Sequence, residues 1–226
     1  MNYFVTGTDT GAGKTLISCA LLHGFAARGK RVIGMKPVAA GCNADGQNED
    51  VLQLCAASNV QPGILAASSD QINPYSFMPA IAPHLAAQLA GANIDFAHIA
   101  ESYLALAVRA DVVIVEGAGG LLVPLNEQQD SADLVRELGL PVILVAGMRM
   151  GCLNHALLTA EAIAARGLTL SGWVANVIDA DMILADENVA ALQQRIAAPL
   201  LGVVPYMPRA DARVAAARLH LERLEP

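Results

Sequence analysis

The stretch Val5-Thr6-Gly7-Thr8-Asp9-Thr10-Gly11-Ala12-Gly13-Lys14-Thr15 limits what this chain can fold into. It follows a short apolar run, Tyr3 to Val5, and precedes a helical pattern from Leu16 to Ala27. Strand, Gly-rich loop, Gly-Lys-Thr and helix make a phosphate-binding P-loop. Glycines let backbone N–H groups turn toward one point with no Cβ in the way. The helix N-terminus adds unpaired donors and a positive dipole end. In such a loop Lys14 reaches the β- and γ-phosphates and the Thr15 hydroxyl ligates Mg²⁺. The spacing is one residue longer than usual: five residues separate Gly7 from Gly13-Lys14-Thr15.

Beyond the loop, apolar runs alternate with helical patterns. Strands are expected at Arg31 to Met35, Asp111 to Val115, Pro141 to Ala146, Leu170 to Val177 and Leu200 to Val204. Helices are expected at Val51 to Ala57, Pro83 to Ala90, Asp95 to Ala110, Ser131 to Leu138, Asn154 to Arg166 and Asp186 to Ile196. Residues 58 to 82, broken by Pro62, Pro74 and Pro79, read as irregular, and Ala210 to Leu224 as a polar, Arg-rich surface helix. Strands apolar throughout and alternating with helices imply a parallel sheet covered on both faces. With no repeat or linker, the expectation is a single α/β domain over residues 1–226. Ligands on such a sheet bind at the carboxyl ends of the strands.

Composition narrows the function classes. The chain has 226 residues, 54% of them hydrophobic and only 4% aromatic, so its core is aliphatic and Ala-rich. The longest apolar runs, such as Leu140 to Met148, are too short to span a bilayer. No basic region precedes the first strand, so no signal peptide is expected. A formal charge of −7 argues against nucleic acid as a main partner. Cys19, Cys42, Cys55 and Cys152 form no Cys-x-x-Cys pair, and reduced thiols in the cytoplasm are expected, with Cys19 and Cys55 as small core residues.

A P-loop needs a carboxylate partner for Mg²⁺. Val112 to Val115 followed by Glu116 has the expected form, an apolar strand ending in an acid. Lys36, held by Pro37 at a strand end, reads equally as a site residue or a solvated lysine, and Asp50 equally as a site residue or a loop acid. His84 and His155 read as helix-terminal or partly buried, and Met148, Met150 and Met182 as packing residues.

Several motifs resemble the dethiobiotin synthetase family, which shares the long P-loop spacing. They include Tyr3-Phe4-Val5-Thr6-Gly7-Thr8-Asp9-Thr10, Lys36-Pro37-Val38-Ala39, Asn73-Pro74-Tyr75, Ala82-Pro83-His84 and Val115-Glu116-Gly117-Ala118-Gly119-Gly120. Later come Leu140-Pro141-Val142-Ile143-Leu144-Val145, Gly151-Cys152-Leu153-Asn154-His155-Ala156, Gly172-Trp173-Val174-Ala175-Asn176 and Ala198-Pro199-Leu200-Leu201-Gly202. The resemblance runs to about Pro205.

It implies an ATP- and Mg²⁺-dependent ring closure in biotin synthesis, on 7,8-diaminononanoate and CO₂ or bicarbonate, in a homodimer. It implies nucleotide contacts at Thr10, Gly11, Ala12, Gly13, Lys14, Thr15, Leu16, Glu116, Gly117, Ala118 and Gly119. Asn176 matches the adenine contact, and Pro205, Tyr206 and Met207 the base-binding loop. Thr15, Asp50 and Glu116 match the Mg²⁺ ligands, and Lys14 and Lys36 the catalytic cations. Substrate contacts fall at Lys36, Ala40, Gly151, Cys152, Leu153 and Asn154, the last four supplied by the partner subunit.

Three positions depart from the family pattern. Gly11 stands where an acid is common, Ala40 where a serine hydroxyl touches substrate, and the loop from Gly41 to Asp50 is short. The rival reading is a P-loop switch ATPase of the partitioning or metallocluster-maturation type. Those proteins carry a second lysine early in the loop, where this chain has Thr8-Asp9. An amidoligase acting on a carboxylate is a further alternative, disfavoured by Lys36-Pro37-Val38 and the Asn154-His155 turn.

Overall fold

Continuous runs of Val, Ile and Leu suit strands that are buried on both faces. The computed structural model, which describes residues 1–60 and 69–224, shows six such strands in one sheet. They are β1 (Asn2–Gly7), β2 (Val32–Met35), β5 (Val112–Glu116), β6 (Val142–Met148), β7 (Leu170–Val177) and β8 (Leu200–Val204). Their order is β2-β5-β1-β6-β7-β8, and every pairing is parallel. This bears out the parallel α/β expectation. Because β1 lies between β5 and β6, its loop emerges in the middle of the sheet's carboxyl edge, the position where such sheets bind ligands.

Alternate side chains along each strand feed opposite layers. Tyr3 and Val5, with Val112 and Ile114, pack against Ile17, Leu21 and Phe25 of α1 (Lys14–Ala27). Phe4, Val113 and Val115 face the other way, toward Ile99 and Leu106 of α5 (Phe96–Ala107) and Leu134 and Val135 of α6 (Ser131–Leu138). Leu144, Ala146 and Trp173 pack with α7 (Cys152–Ala165) and α8 (Ala185–Gln193). Cys19 is buried and Cys55 half-buried, as expected of small packing residues, and all four cysteines are free. Met148 is buried and Met182 packs against the third cluster, but Met150 is 87% exposed, a correction to its reading as a packing residue.

The region after β2 is more regular than its prolines suggest. β3 (Val38–Ala40) pairs in parallel with β4 (Tyr75–Phe77), and α3 (Ser69–Ile72) precedes β4. Asn73 makes this possible by donating from its amide to the carbonyls of both Lys36 (2.7 Å) and Tyr75 (3.0 Å). Three-residue strands carry no readable periodicity, so only this cross-link reveals them. Pro62 and its neighbours lie outside the described residues. α2 (Glu49–Ala57) and α4 (Pro83–Leu89) fall where helices were expected, with His84 half-buried at the start of α4. No helix among the described residues is long and apolar enough to cross a membrane.

The C-terminal segment corrects the surface-helix expectation. It forms only α9 (Ala212–Ala216) and a 3₁₀ turn at Leu221–Arg223, and Ala215, Leu221 and Leu224 are buried beside α1. His220 donates its backbone N–H to Leu201 of β8 at 2.7 Å, and the Tyr3 hydroxyl donates to the Leu224 carbonyl at 3.0 Å. Glycine on β8 permits this approach: a Cβ on Gly202 would lie 2.2 Å from the Arg218 carbonyl oxygen. Gly202→Ala should therefore push the segment off the sheet. Overpacking of this kind costs about 1–3 kcal/mol, to be read as a lower urea midpoint in equilibrium unfolding; an unchanged midpoint would contradict the packing described.

Candidate active site

The loop after β1 is shaped by its neighbours as well as its glycines. Thr8 donates its N–H to the Val145 carbonyl (3.0 Å), and its hydroxyl accepts from the Gly147 N–H (3.2 Å). Gly11 and Gly13 have φ of 79° and 89°, left-handed values that disfavour side chains, so glycine in place of an acid at residue 11 suits this loop's own backbone. The Asn176 amide, at the end of β7, donates to the Ala12 carbonyl at 2.9 Å. A Cβ on Gly13 would lie 2.1 Å from that amide nitrogen. Leu16 follows in the first turn of α1, which Gly13 caps.

β2, β5 and β1 are adjacent in the sheet; Lys36 follows β2, Glu116 ends β5 and the phosphate loop follows β1. Register pairs Met35 with Val115 and Glu116 with Val5, so Lys36 and Glu116 emerge side by side next to the loop. Lys36 donates to Glu116 Oε1 (2.5 Å), Asp50 Oδ2 (2.9 Å) and the Gly117 carbonyl (3.3 Å). The Thr15 hydroxyl lies 2.8 Å from Asp50 Oδ1 and 3.0 Å from Glu116 Oε1. Asp50 reaches the cluster from the first turn of α2. Asn48 caps that helix by accepting from the Asp50 N–H (3.0 Å), and donates to the Ala40 carbonyl (3.2 Å). The short loop from Gly41 thus still delivers the carboxylate.

Burial and charge compete at this cluster. Burial opposes the Lys36 ammonium, but Glu116 and Asp50 outweigh it, and its pKa is raised. Burial likewise opposes the Asp50 carboxylate, yet Lys36, with help from Thr15 and Lys14, brings its pKa below the ordinary value. Lys14 is different: burial first, and Lys36 second, lower its pKa, and its Nζ reaches the Asp9 carbonyl at 3.3 Å. Cys19, behind the cluster, has its thiol pushed up to about 12 by burial and then by Glu116 and Asp50, so it is inert. Glu116 Oε2 is buried and has no hydrogen-bond partner among the described residues.

That unpartnered oxygen, a second carboxylate and a hydroxyl are hard donors. They fit Mg²⁺, which takes one or two carboxylates and completes its shell with water and phosphate oxygens. Among the described residues no group of three or more His, Cys, Asp or Glu could hold a metal by protein alone. The donor set therefore suits an ion that arrives with a nucleotide.

A cavity of about 730 Å³ opens from the cluster. Thr10, Gly11, Gly13, Lys14, Thr15, Lys36, Asp50, Ala118 and Gly119 line its polar end. Val38, Ala40, Ile81, Ala82, Pro83 and Val123 form an apolar wall. Of this wall the sequence marked Ala40 alone as a substrate contact: Ala82-Pro83 stood in a family motif without a role, and nothing marked Ile81 or Val123. Sequence reading also missed Asp9, whose carboxylate pairs with Arg149 at 2.8 Å.

Not every expected residue lies in this cavity. Gly151 caps α7 with φ 91°, and Cys152, Leu153, Asn154 and His155 occupy the helix's first turn, two residues earlier than the expected start at Asn154. Cys152 already donates its N–H to the Arg149 carbonyl (3.0 Å), so that donor is not free. Pro205, Tyr206 and Met207 follow β8; the first two are exposed and Met207 packs beside the α1 layer. Neither segment lines the cavity.

A family model described as an AAA domain matches residues 1–214. The chain is 56% identical over 222 residues to the ATP-dependent dethiobiotin synthetase BioD of Nitrosospira multiformis, covering 98% of this chain and 96% of that one. It is 55% identical to that of Aromatoleum aromaticum, covering 97% and 96%, and 50% identical to that of Xanthomonas euvesicatoria pv. vesicatoria, covering 98% of each. Among solved structures, the cell division ATPase MinD of Pyrococcus furiosus superposes with a TM-score of 0.54 at 17% identity, covering 100% of this chain and 99% of that one. FtsY of Thermotoga maritima gives 0.51 at 18%, covering 99% and 68%. At such identities these two likenesses show the P-loop fold alone.

The Gly13 geometry makes a direct test of the loop. Gly13→Ala forces a side chain into a left-handed position and against Asn176, and should lower affinity for a nucleoside triphosphate by about tenfold or more. Calorimetry reads this; unchanged affinity would mean that phosphates bind elsewhere.

Proposed function

Because the chain belongs to the ATP-dependent dethiobiotin synthetase family, we propose that the cluster at the ends of β1, β2 and β5 carries out that family's reaction here. The enzyme is an ATP-dependent ligase of biotin biosynthesis. The observation that carries the site reading is the convergence of Lys14, Thr15, Lys36 and Asp50 at one end of an apolar-walled cavity, with Glu116 buried against Lys36 and Thr15.

In this reading one amine of 7,8-diaminononanoate takes up CO₂ and loses a proton to become a carbamate. A carbamate oxygen bonds to the γ-phosphorus of ATP as the bond to the β-phosphate oxygen breaks and ADP leaves. The second amine then attacks the carbonyl carbon of the mixed anhydride, phosphate departs with the C–O electron pair, and loss of a proton leaves the cyclic urea. Two anions must meet, so cations must offset their repulsion. Lys14 serves the γ-phosphate. Lys36, close to both the loop and the apolar wall, serves carbamate and phosphate together. The wall of Val38, Ile81 and Val123 accepts the substrate's alkyl chain, and Ala40 contributes a methyl group where the family pattern has a serine hydroxyl. Thr15, Asp50 and Glu116 hold Mg²⁺, which when bound supplies charge neutralisation at the transferring phosphoryl group. No covalent protein nucleophile takes part.

Asn176 and the Pro205–Met207 segment serve the adenine in this proposal, and the chain acts as one cytoplasmic domain. It further acts as a homodimer whose substrate carboxylate is anchored at Gly151 to Asn154 of the neighbouring subunit. Support comes from the helix start at Cys152, whose dipole suits a carboxylate, and from exposed apolar side chains near it and near the start of α8: Met150, Leu158, Ile183 and Leu184.

Release of ADP and phosphate should require both the diamine and bicarbonate; turnover indifferent to the diamine would favour a switch ATPase. Lys14→Ala should lower turnover by about 100-fold or more. Lys36→Gln should stop ring closure while leaving ATP affinity intact by calorimetry, and loss of ATP affinity with normal turnover would contradict its role. For the shared site, a Lys14→Ala subunit is mixed with a Gly151→Leu subunit. Activity above either parent is expected, because one of the two sites in the heterodimer regains both parts. If no activity returns, each subunit holds a complete site.

A further inference from the structure

We infer that Lys36 is the built-in counter-ion of the Mg²⁺ site, and that arrival of the metal with its nucleotide releases its ammonium into the cavity. The inference rests on the reading that Thr15, Asp50 and Glu116 hold Mg²⁺, and assigns Lys36 a second state before its catalytic one.

The geometry carries it. Lys36 is 4% exposed, and its ammonium has three protons and three acceptors: Glu116 Oε1, Asp50 Oδ2 and the Gly117 carbonyl. Two of these belong to the donor set read for the metal, and Thr15, the third member, touches the same two carboxylates. The ammonium therefore sits where a cation belongs between the two acids. The charges of Lys14, Lys36, Asp50 and Glu116 cancel, so the cluster is neutral without ligand. A free divalent ion entering from water must displace a well-paired buried ammonium, and a dication beside that ammonium is repelled.

Binding with ATP changes the balance. The triphosphate brings more negative charge than the metal brings positive, so an ammonium released from the carboxylates finds new partners at the γ-phosphate and the carbamate. The stem of Lys36 already lines the cavity where these meet. Two consequences follow. The empty enzyme is protected from binding free metal ions, and the catalytic cation is delivered only when the nucleotide is in place. Backbone clamps allow the head to move while the stem stays: the Lys36 N–H donates to Ile72 (2.8 Å), and its carbonyl accepts from Asn73.

The test uses nucleotide-free protein and Mn²⁺ as the probe, followed by electron paramagnetic resonance. Lys36→Met removes the counter-ion and leaves both carboxylates, so Mn²⁺ should bind at least about tenfold more tightly than to the parent at the same pH. Lys36→Arg, which keeps the charge, should stay near the parent. Equal or weaker Mn²⁺ binding by a folded Lys36→Met protein overturns the inference.

If that variant does not fold, the parent decides the matter. The chain has three lysines, Lys14, Lys30 and Lys36, so acetic anhydride labelling read by mass spectrometry resolves each. Lys36 should label slowly relative to exposed Lys30, and faster with Mg²⁺ and ADP but not with ADP and a chelator. Labelling of Lys36 that ignores Mg²⁺ overturns the inference. Diamine-dependent product formation is measured separately, so loss of the counter-ion role and loss of the ligase reading give different results.

Discussion

The ion pair between Lys36 and Glu116 is the contact on which the site depends. Both side chains are buried at the carboxyl edge of the sheet, and neither belongs there alone. Their meeting is fixed by strand register, since Met35 and Val115 are paired neighbours and the next residue of each strand is the charged one. A buried pair of this kind adds little net stability over apolar packing, but breaking it by removing one partner costs roughly 3–5 kcal/mol. The pair thus persists for what it does. It holds two carboxylates, a hydroxyl and an ammonium within hydrogen-bond reach beside a phosphate loop.

The surrounding structure makes that arrangement rigid. β1 places the loop between β5 and β6, Asn176 holds it from β7, and Asn48 fixes the helix turn that presents Asp50. The aliphatic layers on both faces keep water from the floor of the site, which strengthens each charge interaction above it. The apolar wall of Val38, Ile81 and Val123 continues that dry surface toward the opening. One cavity thus presents both an apolar lining and a group of charges.

The cell division ATPase MinD and the protein FtsY share this fold. Architecture alone therefore does not select the chemistry. In this chain the charged positions at the carboxyl edge are a buried lysine after β2 and an acid ending β5, and the loop begins with Thr8 and Asp9. The Asp9 carboxylate is turned to Arg149, so that position joins the loop to the segment before α7.

The sequence alone determined the loop, the apolar strands and hence a parallel sheet, because these depend on residues close together in the chain. The long spacing at Gly7 did not obscure the motif, and Glu116 was readable because an acid ending an apolar strand has no packing explanation. Lys36 and Asp50 were ambiguous: each could as well have faced solvent. Only the tertiary structure decided them, since residues 14, 36, 50 and 116 converge through strand order and through the Asn48 cap, and neither is written in a local pattern. The same holds for β3 and β4, too short to show a period, and for the C-terminal segment. Its polar face suggested a surface helix, but its burial was set by a glycine on β8, whose missing side chain leaves room for a backbone sixteen positions away in no particular register. Local chemistry names the parts, while long-range packing decides which of them share a site, because burial and charge pairing depend on distance in space and not along the chain.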